Sequence, residues 1–315
     1  MIPVVDLARG GVAEDFRTAY SEVGFAYLIG HDVPQRLIDD VFAAAVAFHS
    51  LPLSTKMVIE LNELHRGFIP INASTDRKST FANVRKPNQS ESFMMMREAG
   101  SDDPDVLAAA YLAGPNQWPA LLGFRDTVVA YEQAMLQLAQ RLTAVIGEVL
   151  GDSDGIVTRS FERPTTWLRL LHYPSQPPAT PDDVYGSAPH TDFGFITLLA
   201  QDDVGGLQVQ SPDGAWIDAP PRAGTFLMNV GQMLHQWSNG GLRATPHRVI
   251  NRSGRERYSV PFFFDPNVAT VIGPLPSCTS ADNPPRFDPV VFGDYLRAEL
   301  QAGYHRHADQ HRPQS

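Results

Sequence analysis

Two histidines and one aspartate carry the strongest chemical signal in this chain. His190 and Asp192 stand two residues apart in His190-Thr191-Asp192-Phe193-Gly194, and a second histidine lies far downstream in Pro246-His247-Arg248-Val249. Two imidazoles and a carboxylate suit a divalent iron. Held on one face of an octahedron, they leave three positions open for a co-substrate and oxygen. A structural zinc would close its shell with four ligands, usually including cysteine. The chain has one cysteine, Cys278, which excludes a thiolate-rich site. Residues two apart on an extended segment point to the same side, so His190 and Asp192 share a face. His247 is too distant in sequence for one helix or hairpin to return it, so several short strands must circle back.

A second pattern follows closely. In Arg257-Tyr258-Ser259 the arginine and serine also share a strand face. A guanidinium beside a hydroxyl is a fork for a carboxylate, with one further donor. Metal, open positions and a carboxylate receptor together suit a keto acid that chelates iron.

These three motifs, in this order, resemble the iron(II)/2-oxoglutarate-dependent oxygenases of the isopenicillin N synthase-like group. That family reads His-x-Asp, then a distal His followed by Arg-Val, then Arg-x-Ser. Asp202-Asp203-Val204-Gly205-Gly206-Leu207-Gln208-Val209, Gly231 to Leu234 and Trp237-Ser238-Asn239-Gly240 resemble the segments between them. The N-terminal order is similar to the same family: strand, helix, the strand Gly24 to Ile29, the turn Gly30-His31-Asp32-Val33-Pro34, then an amphipathic helix. So is the turn Arg66-Gly67-Phe68-Ile69-Pro70. The resemblance implies an α+β, mainly β fold, a double-stranded β-helix (jelly-roll) core with flanking α-helices. It implies one oxygenase domain over 1–315, divided into an N-terminal region 1–110, scaffold helices 111–160, a catalytic core 161–270 and a C-terminal helix 285–303. It also implies Fe(II) on His190, Asp192 and His247, O2 as oxidant, and 2-oxoglutarate with its distal carboxylate on Arg257, Ser259 and Tyr173. The family frequently has Asn where Leu171 stands, and Asp where Gln232 stands; the first departure puts one co-substrate contact in doubt.

The elements around these motifs follow from patterning. Pro119 to Leu150 carries Leu121, Phe124, Val128, Tyr131, Met135, Leu138, Leu142, Ile146 and Val149 at threes and fours, which predicts a long bracing helix. Thr165 to Pro174 opens the barrel. Pro285 to Ala302 reads as a closing helix. Residues 72–90 are polar and long for a loop without structure, so a lid over the site is one reading and a plain surface loop, including Lys78, the other. The run Glu91 to Met96 reads as a strand whose methionines pack a core or, through Phe93 and Met95, line an adaptable pocket. Phe195 and Phe263 are further candidates for an apolar, aromatic substrate pocket. Arg169 lies amid Leu168, Leu170 and Leu171, so it needs a partner: a substrate or co-substrate carboxylate, or a structural salt bridge. His31, His49, His172 and His235 lie outside the ligand motif, and His305, His307 and His311 fall in a polar tail.

Composition bounds the rest. With 315 residues, 43% of them hydrophobic, the chain can bury one large core. A net charge of −10 and a pI near 5.4 disfavour nucleic acid as partner. One cysteine suits a reducing compartment. No signal peptide is apparent, and no apolar run reaches the roughly 18–20 residues of a membrane span. The expectation is a cytoplasmic enzyme that oxidises, by default hydroxylates, a small molecule with release of succinate and carbon dioxide. Asp192 fills the position that a halide would need, which argues against halogenation. Three alternatives stand beside this: an iron oxidase that uses no keto acid, an ethylene-forming type resembled by Ala200 to Leu207 and Thr245-Pro246-His247, and a binding protein that kept the barrel and lost turnover.

Overall fold

The computed structural model describes residues 1–76, 79–177 and 179–304. The chain opens with strand β1 (Val4–Asp6), helix α1 (Val12–Glu22), β2 (Phe25–Ile29) and helix α2 (Gln35–His49). The short helix α3 (Leu53–Lys56), β3 (Gly67–Ile69), β4 (Glu91–Met96) and the short helix α4 (Pro104–Leu107) follow, then the 27-residue helix α5 (Phe124–Leu150) and the short α6 (Ile156–Ser160). The core strands are β5 (Thr165–Tyr173), β6 (Ser187–His190), β7 (Ile196–Gln201), β8 (Leu207–Gln210), β9 (Trp216–Asp218) and β10 (Phe226–Val230). After helix α7 (Gln232–Trp237) come β11 (His247–Val249) and β12 (Arg257–Asp265). A small pair, β13 (Val271–Ile272) and β14 (Val290–Val291), precedes the last helix, α8 (Phe292–Gly303).

β5 to β12 form the jelly roll. One sheet runs β1-β2-β10-β7-β12-β5-β4-β3 and the other β6-β11-β8-β9. The N-terminal strands therefore extend both edges of the larger sheet. A single apolar cluster runs from Val5 to Leu300, with a smaller one between the two sheets built on Phe25, Tyr27, Leu171, Tyr173, Leu207, Val209 and Val249. Among the described residues no single helix is long and apolar enough to cross a membrane.

α5 packs on α1, α2 and β12, and buries the stripe Phe124, Val128, Tyr131, Met135, Leu138, Leu142, Ile146 and Val149. Each such side chain contributes roughly 1.5–3 kcal/mol by leaving water. The helix starts later than the apolar spacing from Pro119 predicts. Gly123 takes φ 73° in the left-handed region, which breaks helical continuity ahead of Phe124. The closing helix is likewise shorter, because Pro284, Pro285 and Pro289 lack the N–H donors a helix needs.

The turn between β6 and β7 carries Asp192 and is clamped from two sides. On one side, Asp265 at the end of β12 accepts hydrogen bonds from the Phe195 amide at 2.6 Å and from Trp167 Nε1 at 2.9 Å. On the other, the Gln232 and Met233 amides donate to the Asp192 and Gly194 carbonyls, each at 2.8 Å. Gly194 is confined between these clamps. A Cβ on it would lie 1.9 Å from Asp265 Oδ1. Gly194→Ala should therefore cost about 1–3 kcal/mol by overpacking, and lower the thermal midpoint by about 1–5 °C in circular dichroism melting. An unchanged midpoint would mean that Asp265 does not hold this turn.

Candidate active site

His190 ends β6 and His247 begins β11, and the two residues are directly paired across these strands. Their rings lie 4.4 Å apart between centroids. Asp192 follows in the clamped turn and is buried. His190 Nε2 and His247 Nε2 each lie 3.6 Å from Asp192 Oδ1. The opposite ring nitrogens face backbone: His190 Nδ1 donates to the Ala188 carbonyl at 2.7 Å, and His247 Nδ1 to that of Thr245 at 3.3 Å. With Nδ1 carrying the proton, each neutral ring presents the Nε2 lone pair inward. The carboxylate is oriented in the same manner. Its Oδ2 accepts from Thr197 Oγ1 and from Asn229 Nδ2, the latter at 2.7 Å, which leaves Oδ1 toward the imidazoles. One ligand atom from each residue falls within 4.8 Å of the others.

The charges show the cost of this arrangement. Burial opposes the cationic form of His190, and the Asp192 carboxylate outweighs it, raising that imidazole to about 9. Burial and the neighbouring His190 lower His247 to about 4. Burial works against the charged form of Asp192 too, and the two imidazoles overcome it, holding the carboxyl well below its usual range. The buried carboxylate thus draws a positive charge toward its Oδ1.

β5 and β12 present the second motif. Arg257 pairs with Tyr173 and Ser259 with Leu171. Both Arg257 and Ser259 are 1% exposed. The Arg257 guanidinium lies 4.6 Å from the Tyr173 ring centre and donates through Nη2 to Gln201 Oε1 at 3.2 Å. Its Nε and Nη1 are buried without an acceptor among the described residues. Two orphaned N–H groups on a buried cation are expensive unless an anion completes them.

A cavity of about 400 Å³ reaches His190 and Asp192, with His247, Arg257 and Ser259 behind its lining. His190, Asp192, Tyr173, Leu171, Arg169 and Phe263 line it. Phe93, Met95 and Phe195 do not. Phe93 packs on Phe48 and Phe124, and Met95 is buried on the same helix-covered face. Met94, paired with Arg169, takes the cavity side instead. Phe195 packs on Phe161 and Trp237, whereas Phe193 faces the cavity. For Phe93 and Met95 this is a slip of one residue on a strand buried on both faces, and for Phe195 of two residues in the turn after Asp192. The 72–90 segment forms a cavity wall through Ser74, Asp76, Ser79, Thr80, Phe81, Asn88 and Ser90, tied down by Ser79 Oγ on the Pro189 carbonyl at 2.5 Å. Lys78 lies outside the described residues, as do His305, His307 and His311. Gln232 lines the cavity and donates to Thr191 Oγ1 at 2.9 Å.

Thr197 and Asn229 were the functional residues that motif reading missed. Each is a lone polar residue inside an apolar strand, Ile196-Thr197-Leu198-Leu199 and Leu227-Met228-Asn229-Val230, and that isolation was a usable signal.

His31, His49, His172 and His235 serve structure. His235 Nδ1 bonds the Leu242 carbonyl, and His31 Nδ1 accepts from the Val33 amide. His49 and His172 bond Glu91 Oε1 at 3.0 Å each, on the sheet face away from the cavity. They also have ligand-like spacing with Glu91. There, however, Lys56 Nζ sits 2.8 and 2.9 Å from the two Glu91 oxygens and supplies the positive charge.

The comparisons with known proteins follow this geometry. Residues 164–266 match the 2OG-Fe(II) oxygenase superfamily model, and residues 2–121 match the N-terminal model of non-haem dioxygenase in morphine synthesis. The 2-oxoglutarate-Fe(II) type oxidoreductase hxnY of Emericella nidulans is 36% identical over 307 residues, covering 95% of this chain and 86% of that protein. The chain belongs to the 2OG-Fe(II) oxygenase superfamily. Two solved structures agree with this oxygenase fold. A full-length Neurospora crassa protein in complex with alpha-KG superposes with a TM-score of 0.81 at 28% identity, covering 96% of each chain. JOX2 in complex with 2OG, Fe and JA gives 0.81 at 25% identity, covering 99% of this chain and 89% of that one. This oxygenase is a 2-oxoglutarate-dependent dioxygenase of the isopenicillin N synthase-like kind, acting on small molecules with Fe(II), 2-oxoglutarate and O2. Its residues fit that set: a buried carboxylate facing two imidazole lone pairs suits the cation, and the orphaned Arg257 donors suit the diacid.

The Glu91 cluster gives a test of its structural role. Burial disfavours the charged carboxylate, and hydrogen bonds from His172, His49 and Lys56 overcome this, holding it well below its ordinary 4.5. A depressed carboxylate stabilises the fold above its unfolded value and loses that contribution as pH falls through and below it. Glu91→Gln, which leaves the Lys56 charge buried and unpaired, should cost about 3 kcal/mol at neutral pH. In denaturant unfolding at a series of pH values, the gap from wild type should shrink below about pH 4.5. A gap independent of pH would show that the carboxylate charge does not matter.

Proposed function

We propose that this dioxygenase hydroxylates a small-molecule substrate: substrate C–H, O2 and 2-oxoglutarate give the alcohol, succinate and carbon dioxide. His190, Asp192 and His247 hold the iron. Arg257, Ser259 and Tyr173 receive the distal carboxylate of 2-oxoglutarate. The observation that carries this reading is the buried Arg257 with two N–H groups lacking an acceptor, set behind Tyr173 beside a triad whose Nε2 and Oδ1 atoms converge. Leu171 brings no polar group, so Arg257, Ser259 and Tyr173 carry the recognition without the amide common in the family.

Iron bound with 2-oxoglutarate supplies the oxygen chemistry. This chain's residues orient and enclose. Thr197 and Asn229 fix the carboxylate plane of Asp192, and the Ala188 and Thr245 carbonyls fix the imidazoles. Such outer partners are typically worth about 10–100-fold in metal affinity. Residues 74–76, 79–90 and α8 line the cavity that a bound substrate fills, displacing water from the reacting centre. The cavity is of a size for one small molecule. Neighbours solved with thymine and with JA support that size class.

Two outcomes test the proposal. Anaerobic addition of Fe(II) and 2-oxoglutarate should produce a visible charge-transfer band, and His190→Ala or His247→Ala should abolish both the band and bound iron. A band of wild-type strength in either variant would refute the ligand set. Arg257→Ala should raise the 2-oxoglutarate concentration for half-maximal succinate release by about 100-fold, because a charged hydrogen-bonding partner is lost from a buried carboxylate. An unchanged requirement would move the distal carboxylate to another residue. Succinate release without dependence on O2 would also end the proposal.

A further inference from the structure

We infer that Arg169 receives a carboxylate of the primary substrate, and that this substrate is a monocarboxylate with a flat apolar body. The inference rests on the function proposed above and concerns the part of the cavity that iron and 2-oxoglutarate do not claim.

Arg169 sits mid-way along β5 and lines the cavity, half-buried. Its guanidinium meets only neutral hydroxyls. Nη2 and Nε donate to Ser92 Oγ at 2.9 and 3.3 Å, and Nη1 reaches Tyr304 Oη at 3.5 Å. Among the described residues no carboxylate pairs with it, unlike the structural salt bridge that is the alternative for an arginine flanked by leucines. Ser92 is fully buried, receives both of these bonds, and donates its own proton to none of the described residues. The site therefore offers a planar cation at the cavity wall, with no anion among the described residues to receive it. A guanidinium so placed selects a planar bidentate partner, which is a carboxylate.

The co-substrate is a poor candidate for that anion. Arg257 pairs with Tyr173, four residues along β5 from Arg169. At about 3.3 Å per residue the two arginines serve points about 13 Å apart along the strand. One five-carbon diacid chelating the metal does not reach both. The remaining walls specify the body of the substrate. Trp167 and Phe193 meet edge to face at 5.8 Å, and Phe263 and Tyr304 also line the cavity, so flat apolar surface is preferred. Asp76 lines it as well, and would repel a second negative charge.

The test uses three aryl acids, phenylacetate, 3-phenylpropanoate and indole-3-acetate, each against its neutral amide. Binding is measured by calorimetry on the full chain, anaerobically with Fe(II) and 2-oxoglutarate, and again without metal. At least one acid should bind about 30-fold or more tighter than its amide. Arg169→Leu should weaken that acid by about 30–100-fold and move its amide by less than about twofold, whereas Arg169→Lys should recover a large part of the loss. The inference is overturned if acids and amides bind alike, if no acid binds, or if Arg169→Leu leaves the acid unaffected. Absence of the charge-transfer band in wild type would instead sink the proposed function, and the metal-free titrations would still decide the role of Arg169.

Discussion

Everything in this molecule that bears on chemistry depends on one buried carboxylate being divided in use. Asp192 Oδ2 is tied to Thr197 and Asn229, on two adjacent strands, and Oδ1 faces two imidazole nitrogens. An ionised carboxylate in an apolar interior is costly unless both oxygens are satisfied. The fold satisfies one of them and leaves the other to a metal. That division also orients the group: with Oδ2 pinned, rotation about the side chain cannot carry Oδ1 away from the histidines.

The scaffold can be understood as the means of holding that geometry. β6 and β11 are short, and their pairing of His190 with His247 fixes only two of three ligands. The third sits on a turn, where backbone freedom is greatest. The structure removes that freedom with the Asp265 clamp, a glycine too closely packed to be anything else, and the first amides of α7. Burial raises the Asp265 carboxyl to about 7, so the clamp itself carries an energetic cost. Placing two costly carboxylates close together is tolerable here because the surrounding strands bury a large apolar cluster.

The convergence of His190, Asp192 and His247, and the shared strand face of Arg257 and Ser259, were legible in the sequence because their chemistry is rare and their spacing matches strand alternation. Phe263 and Arg169 were legible for the same reason, by counting along a strand from a known inward residue. Phe93 and Met95 were not. All six residues of β4 are buried, so no alternation of polar and apolar residues marks which face meets the cavity. A parity error on such a strand moves every side chain to the opposite face. Phe195 failed differently: the turn after Asp192 breaks the two-residue period, and Phe193 takes the cavity side. The start of α5 was misplaced because apolar spacing continues past Gly123, and only the left-handed backbone there ends the helix.

The two faces of β5 show how one strand serves separate purposes. Arg169, Leu171 and Tyr173 look into the barrel, and His172 on the other face joins Glu91 and Lys56 in a buried charge network. That network is built from groups that could ligate a metal, yet an ammonium already occupies the place of the cation. The triad at His190 has no such internal cation. The contrast argues that residue type and proximity are insufficient to define a metal centre. What distinguishes the two sites is whether a lysine or arginine neutralises the carboxylate: Lys56 does so at Glu91, and among the described residues none pairs with Asp192.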